Sequence, residues 1–329
     1  MINSDIFKDP SGNFKSQSLK KDIITYFALN GDATIADLSK ELSLSIPTVT
    51  KSITELIDDG FVVDFGKIET GGGRRPNIYG LDPHSGFFVG VEVKRNEVNI
   101  GLMDLKCELI KIVEKIPFQL ANTRESLDKL CLIINKFIDE AGIIREKILD
   151  ACLNISGRVN SFVGYSYSYF YLEEKPLSEI IESKINIKTF LENDTRAMTY
   201  GEYKIGIAQG EKDMLFINVS RGVGMGIIID GKLYYGKSGY SGEFGHSPFF
   251  NNEILCHCGK KGCLETEVSG TALERIFKQH LDNGSNSILS KKYKKEKEIT
   301  LEDIIEAVNQ EDVLAIELIA ELGEKLGRN

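Results

Sequence analysis

Three of the chain's six cysteines, Cys256, Cys258 and Cys263, fall within eight positions in "CHCGKKGCLE". His246, in "EFGHSPFF", precedes the first of them with nine residues between. One imidazole and three thiolates spaced as His-x9-Cys-x-Cys-x4-Cys form the donor set of a closed tetrahedral zinc site. Gly259 and Gly262 permit the tight knuckle such a loop needs. The competing reading, reduced cysteines in a surface loop, would leave oxidisable thiols exposed for no gain. His257 is a possible rival ligand, but a residue between two close ligands usually points away. With four protein ligands no coordination position remains for water, so the predicted metal holds the fold and activates nothing.

A second constellation is "LENDTRAM", where Asn193 and Asp194 stand at the junction of a predicted strand and helix. Open α/β sheets collect ligands at such places. Asp194 reads equally well as a helix N-cap or as a carboxylate that accepts hydrogen bonds from hydroxyls and could act as a general base. Glu243 and Glu265 flank the cysteine loop, so folding it would gather both carboxylates. One amide and three carboxylates in one cleft would suit a polyol, which offers many hydroxyl donors. The glycines of "SRGVGMGI" could cradle phosphate through backbone N–H groups, or serve as a bend between packed strands.

These residues need a frame, and the periodicity supplies an α/β one. "FFVGVEV" and "NEVNIGLMDL" alternate as strands joined by a tight turn, and "ESLDKLCLIINKFIDEAG" is an amphipathic helix. "ILDACLNIS" and "NIKTFLEND" are further strands, "TRAMTYGEYKIG" a helix, and "DMLFINVSRGVGMGIIIDGKLYYG" another strand pair. Two strand-rich halves suggest two lobes with a cleft between them. "SILSKKYKKEKEIT" reads as a solvated lysine-rich loop, and "EDVLAIELIAELGEKLG" as a closing helix.

Ahead of this frame, from Ser18 to Gly60, lie three short helical segments. The third, "SIPTVTKSITELIDDG", has Ser45 as N-cap and Pro47 in its first turn. Val49, Ile53, Leu56 and Ile57 form its buried face, and Thr48, Lys51 and Ser52 its solvent face. Two short strands, "FVVDFG" and "NIYGL", follow, joined by "KIETGGGRRP". Three helices and a two-stranded flap make the layout of a winged helix-turn-helix, with a generic three-helix bundle plus hairpin as the plainer alternative. Arg74 and Arg75 sit in a flexible, extended tip of the kind that enters a narrow minor groove. Residues 1–80 hold nine Lys/Arg against eleven Asp/Glu, so these two arginines must carry much of the attraction to DNA.

Composition agrees with this organisation. A chain of 329 residues, 42% hydrophobic and 27% charged, is that of a soluble globular protein with two or three domains. The polar start and short apolar runs give neither a signal peptide nor a membrane span, so a cytoplasmic location is expected. In that reducing compartment clustered cysteines favour a metal over disulfides. Cys107, Cys131 and Cys152 stand singly among apolar residues and read as small core residues. A net charge of −9 speaks against a surface coated for nonspecific nucleic-acid binding.

Taken in order, the head with "GGGRRP", then "ISGRVN", "LENDTRA", "GVGMGIIIDGKLYYGKSGYSGEFGH" and "CHCGKKGCLE", the chain resembles the ROK family of bacterial sugar kinases and sugar-responsive repressors. The resemblance implies a two-lobed actin-like, sugar-kinase-like (ribonuclease H-like) domain with a structural zinc loop. It implies that Asn193, Asp194, Glu243, His246 and Glu265 line a hexose pocket, with His246 also a zinc ligand and Gly157 on a loop beside the sugar. In kinase members the residue matching Asp194 is the catalytic base.

Kinase members carry Asp-x-Gly-Gly-Thr on the first hairpin to admit ATP phosphates. This chain has "EVKRN": Glu92 for the Asp, Lys94 and Arg95 for the glycines, Asn96 for the threonine. Side chains then fill space where backbone must approach phosphate. In the second phosphate loop Arg221 replaces a threonine and Met225 a glycine. The family continues beyond the position matching Asn329, so the C-terminal part is expected to be truncated here. The expectation is a sugar-responsive repressor with a winged helix-turn-helix over 1–80 and a sugar-binding domain over 81–329. Thr48, Lys51 and Ser52 would read operator DNA, a sugar or sugar phosphate would be the effector, and the assembly a homodimer or dimer of dimers. An ATP-dependent hexose or amino-sugar kinase is the alternative.

Overall fold

A computed structural model describes residues 14–67, 76–208, 210–296 and 298–328, and the chain divides after Asn193 into two compact units. The first unit opens with α1 (Phe14–Asn30), α2 (Ile35–Glu41) and α3 (Ile46–Asp58), then β1 (Val62–Lys67) paired antiparallel with β2 (Asn77–Leu81). Helix α1 begins four residues earlier than the sequence suggests. Thr34 starts α2 with a reciprocal capping box to Asp37, satisfying otherwise orphaned N–H groups. Ser45 caps α3 as expected, its hydroxyl accepting from the Thr48 N–H, with Pro47 in the first turn.

Two positions of α3 depart from the sequence reading. Ser52 is buried, 5% exposed, whereas Ile57 is 37% exposed. The apolar stripe Val49, Ile53, Leu56 is narrower than expected and rotated by about one residue, so that Ser52 falls inside its edge.

The rest of this unit is a five-stranded sheet, ordered β5-β4-β3-β6-β9, from β3 (Phe87–Val93), β4 (Glu97–Asp104), β5 (Leu109–Pro117), β6 (Ile148–Ile155) and β9 (Thr189–Asn193). Strand β5 has no counterpart in the sequence reading. Strands β3, β6 and β9 run parallel, linked through α4 (Arg124–Glu140) and α5 (Leu177–Ile185); β7 (Val159–Asn160) and β8 (Tyr165–Ser166) form a small hairpin. The strict alternation of β3 and β6 sends Val89, Val91, Val93, Ala151, Leu153 and Ile155 into one core with the two helices. The opposite face carries half-buried polar groups, among them Asp150, Asn154 and Glu192.

The head's own core does not close by itself. Its cluster of Ile23, Phe27, Leu38, Val49, Ile53, Leu56, Phe61 and Leu81 also includes Leu105, just after β4, and Leu149 of β6. Polar links reinforce the junction: Lys147 donates to the His84 carbonyl at 2.8 Å, and Lys106 pairs with Asp32 at 3.5 Å while lying over the Phe65 ring.

The second unit begins at α6 (Asp194–Ile205) and contains a three-stranded antiparallel sheet, β10 (Met214–Val219), β11 (Val223–Ile229) and β12 (Lys232–Leu233). Short α7 (Glu265–Val268) leads to α8 (Gly270–Asp282), α9 (Ser290–Glu296), α10 (Leu301–Asn309) and α11 (Val313–Gly327). Leu273, Phe277, Ile304, Leu314 and Leu318 form the core of this helical layer. The lysine-rich segment is therefore not a loop. It folds as α9, held by Lys292 on Asp303 and by the Tyr293 hydroxyl on Asp282.

Of the lone cysteines, Cys131 is the core residue expected and Cys107 is not. Cys131 is buried, Cys152 half-buried, and Cys107 exposed in a left-handed turn at φ 63° after β4. Burial pushes the Cys131 thiol up to about 11 and Cys152 to about 12, which leaves both unreactive.

Candidate metal centre and ligand-binding residues

The loop between β12 and α7 is a knot of short backbone bonds. The Cys256 N–H donates to the Lys260 carbonyl at 2.8 Å, the Phe250 N–H to Gly262 at 3.0 Å, and the Leu264 N–H to Ser247 at 2.9 Å. This folding brings His246, Cys256, Cys258 and Cys263 together, with their ligand atoms all within 4.8 Å of one another. Cys256 Sγ lies 3.5 Å from His246 Nδ1, and Cys258 Sγ 3.6 Å from Cys263 Sγ. Tetrahedral geometry with metal–sulfur distances of about 2.3 Å and metal–nitrogen distances of about 2.0–2.1 Å requires separations of roughly 3.6–3.8 Å. The four residues therefore fit a Cys3His metal site. Burial lowers the His246 pKa and so favours the neutral ring a metal needs. Burial also pushes the Cys256 thiol up to about 12, so a cation must displace that proton.

His257 does not simply point away. Its side chain is exposed, yet Nδ1 reaches Glu265 at 3.1 Å and its ring meets His246 edge-on at 4.9 Å. Burial alone would raise the Glu265 pKa, but the His257 ring and the Val223 N–H, which donates at 3.1 Å, outweigh it and hold the carboxyl below its usual range. Glu243 approaches the other ring nitrogen of His246, Oε2 to Nε2 at 3.8 Å. The structure thus gathers Glu243, His246 and Glu265 around one imidazole. Glu243 lies on the Nε2 side of the ring, whereas Glu265 lies on the Nδ1 side with the Cys256 sulfur, 3.9 Å from Nδ1.

In the first unit Asn193 and Gly157 come together: the Asn193 amide donates to the Gly157 carbonyl at 3.0 Å. Gly157 has φ 88°, and a Cβ there would lie 2.4 Å from Ser168 Oγ, so no other residue fits the loop without displacement. Asp194 is the first residue of α6, and its Oδ1 accepts from the adjacent Thr195 N–H at 2.7 Å. The glycines of "GVGMG" serve close approach: a Cβ on Gly224 or Gly226 would fall 2.4 or 1.7 Å from Thr195 or Thr199 of α6. They let the helix lie directly on β11, which answers the phosphate-cradle alternative at these two positions.

The turn "EVKRN" is internally occupied. Lys94 lies 3.4 Å from Glu92 and 3.5 Å from Glu97. Burial works against its charge, yet these carboxylates outweigh burial and hold its pKa above the ordinary lysine value. The carbonyls of Arg95 and Asn96 accept from Leu120 and Phe118 at 2.8 and 3.1 Å. Arg221, in the second loop, faces Glu274 at 3.9 Å.

On the head, Thr48 and Lys51 are exposed on α3, with Lys51 loosely paired to Glu55 at 3.9 Å. Buried Ser52 cannot reach a DNA groove with its side chain and leaves the candidate set. Arg74 and Arg75 lie outside the described residues. The sequence reading passed over Arg196, two residues beyond Asp194, and the His257–Glu265 pair. The first is a charged residue in a helix facing a glycine-rich loop, a usable signal; the second depends on how the cysteine loop folds.

Among the described residues no helix is long and apolar enough to cross a membrane. Residues 17–63 match the winged helix-turn-helix DNA-binding family, and residues 88–329 match the ROK family. The xylose repressor of Caldicellulosiruptor bescii is 29% identical over 294 residues, 88% of this chain and 73% of that protein. The DNA-binding transcriptional dual regulator NagC of Escherichia coli K12 is 28% identical, over 88% of this chain and 71% of its own. A ROK family transcriptional regulator, homologue of the E. coli MLC protein, superposes with a TM-score of 0.77 at 26% identity, covering 95% of this chain and 78% of that one. A ROK glucokinase from Streptomyces griseus, solved with glucose and AMPPNP, gives 0.65 at 26% identity over 74% and 77%. With a DNA-binding head and a kinase-like sheet accounted for by these matches, the chain belongs to the ROK family.

Proposed function

We propose that this protein is a sugar-responsive transcriptional repressor, with residues 1–80 as the DNA-binding head and 81–329 as the sugar sensor. The observation that carries the reading is the shared core: Leu105 and Leu149 of the sensor sheet complete the hydrophobic cluster of a head that presents Thr48 and Lys51 on α3. Strand β6 runs from Leu149, in that core, to Ile155, two residues before Gly157. A ligand held at the Gly157 and Asn193 end is thus linked by one strand to the DNA-reading end. Differential affinity of the sugar for two dispositions of the protein then alters operator affinity.

The effector is a sugar or sugar phosphate held by Gly157, Asn193, Asp194, Glu243, His246 and Glu265. The names of the relatives support a carbohydrate, and their difference, xylose against an N-acetylglucosamine-type regulator family, leaves its identity to experiment. His246, Cys256, Cys258 and Cys263 would hold a structural zinc, whose role when bound is to fix the loop. The residues themselves do the recognition: His246 Nε2 and the Glu243 and Glu265 carboxylates face the hydroxyls. Thr48 and Lys51 would read the major groove and Arg74 and Arg75 the minor groove, in a homodimer or dimer of dimers.

The glucokinase similarity favours a second reading, an ATP-dependent sugar kinase with Asp194 as base. The side chains of Lys94, Arg95 and Asn96 in this turn weigh against it, with Lys94 held between Glu92 and Glu97 and its N–H already donating to the Glu97 carbonyl.

The test joins both readings. DNA selected from random duplexes by the full chain is titrated with D-xylose, D-glucose, N-acetyl-D-glucosamine and the 6-phosphates of the latter two, alongside a coupled ADP-release assay. Loss of DNA affinity with one sugar and no ADP release is expected. Unchanged affinity across saturating sugars would defeat the induction mechanism. Robust turnover abolished by Asp194→Asn would make the protein a kinase.

A further inference from the structure

The segment from Tyr234 to Gly242 leads directly into Glu243, and three of its glycines, Gly236, Gly239 and Gly242, have φ of 68°, 77° and 80°. Glycine loses more backbone entropy on ordering than any other residue, so something must hold this segment. Its far end is tied to β11, where the Met225 N–H donates to the Gly242 carbonyl at 3.1 Å. A fold-back bond from the Ser241 N–H to the Tyr235 carbonyl at 3.2 Å closes it on itself. Its middle is met by Arg196.

Arg196 is 2% exposed, an unusual state for a permanent cation. Its Nη1 donates to the Gly239 carbonyl at 2.8 Å, and its guanidinium lies over the Tyr235 ring, 5.4 Å from the centroid. Removing a guanidinium from water is costly unless hydrogen bonds and a ring face replace the lost hydration. Here the replacement comes in part from the backbone and an aromatic of this glycine-rich segment. The same side chain springs from α6, two residues after Asp194.

We infer that Arg196 is a positioning residue: it pins the Tyr234–Gly242 segment to α6 and so fixes Glu243 relative to His246 and Asp194. The inference deepens the sugar-sensor reading, but the ordering of the segment stands apart from it. Lysine cannot replace the guanidinium here. It lacks the planar fork that lets one side chain both donate to a carbonyl and stack flat on a ring.

The test uses the full chain with Arg196→Lys and Arg196→Met, read by hydrogen exchange, by bound zinc per chain and by sugar-induced thermal shift. Exchange of residues 234–242 is expected to speed up at least tenfold in both variants. Zinc content and the protection of α8 and α11 should stay at wild-type level. Unchanged exchange across 234–242 would overturn the inference. Loss of zinc and of protection throughout the second unit in both variants would also overturn it, by making Arg196 a general core residue. Where the wild type responds to D-xylose, D-glucose or N-acetyl-D-glucosamine, Arg196→Lys should weaken that affinity at least tenfold, and unchanged affinity counts against the link to Glu243. If the wild type responds to none of these, the sugar reading fails, and exchange alone decides the role of Arg196.

Discussion

Leu149 belongs by sequence to a sensor strand and by packing to the DNA-binding head, and truncating it separates the two roles. The residue is 4% exposed, and a Cβ added at Gly86 would lie 2.6 Å from its Cδ1, so the site is filled to contact. Leu149→Ala removes a buried side chain from a junction clamped on both sides by Lys147 to His84 and Lys106 to Asp32. A clamped site collapses poorly, which places the cost at about 3–4 kcal/mol, in the middle of the range for buried Leu→Ala changes. If head and sheet share one core, that cost must appear in α1 to α3, which contain no residue near position 149 in sequence. Hydrogen exchange of the full chain should show the head helices losing roughly a hundredfold or more in protection, since each 1.4 kcal/mol is a factor of ten. Leu132→Ala, at a position 68% exposed on α4, serves as control and should stay within about 0.5 kcal/mol of wild type. Unaltered exchange in α1 to α3 alongside a destabilised sheet would refute the shared core, and with it the proposed route from sugar to DNA.

Cys258→Ser should abolish stoichiometric zinc in a colorimetric release assay and lower the unfolding temperature, by several kcal/mol of lost metal-coupled folding energy. Arg74→Ala with Arg75→Ala should weaken operator binding and reduce the slope of log affinity against log salt by up to about two phosphate contacts; an unchanged slope would remove the wing from the interface. Burial raises Asp150 from an ordinary 3.8 to about 6, so the folded state holds its proton more tightly than the unfolded chain does. Its stabilising contribution is complete below about pH 4 and is lost as pH rises through 6, at most about 3 kcal/mol. Asp150→Asn should therefore stabilise the protein at pH 8 and change little at pH 4, as read from urea midpoints at both values.

Much of the chemistry was legible in the chain. The Cys3His spacing predicted its own cluster, because ligands a few residues apart in a loop have few ways to meet except around one centre. The alternation of "FFVGVEV" and "ILDACLNIS" predicted the central strands, and Ser45 with Pro47 the start of α3, because these are local rules of period and capping. The readings that failed depended on neighbours distant in sequence. Ser52 and Ile57 exchanged places because the width of a helix's buried stripe is set by what packs on it. The lysine-rich segment became helical because Asp303 and Asp282 receive Lys292 and Tyr293. Cys107 is exposed because the chain turns left-handed there, a choice its apolar neighbours do not encode.

The sequence by itself determined the donor set and the strand and helix periods, since each is a property of residues close to one another in the chain. Only the tertiary structure decided that the head borrows Leu105 and Leu149 to close its core, that His257 reaches Glu265, and that Arg196 lies beneath Gly239. His257 and Glu265 are 8 positions apart, Arg196 and Gly239 are 43 apart, and Leu149 joins a core built mostly from residues before position 82; no local pattern specifies which such surface will remove a side chain from water.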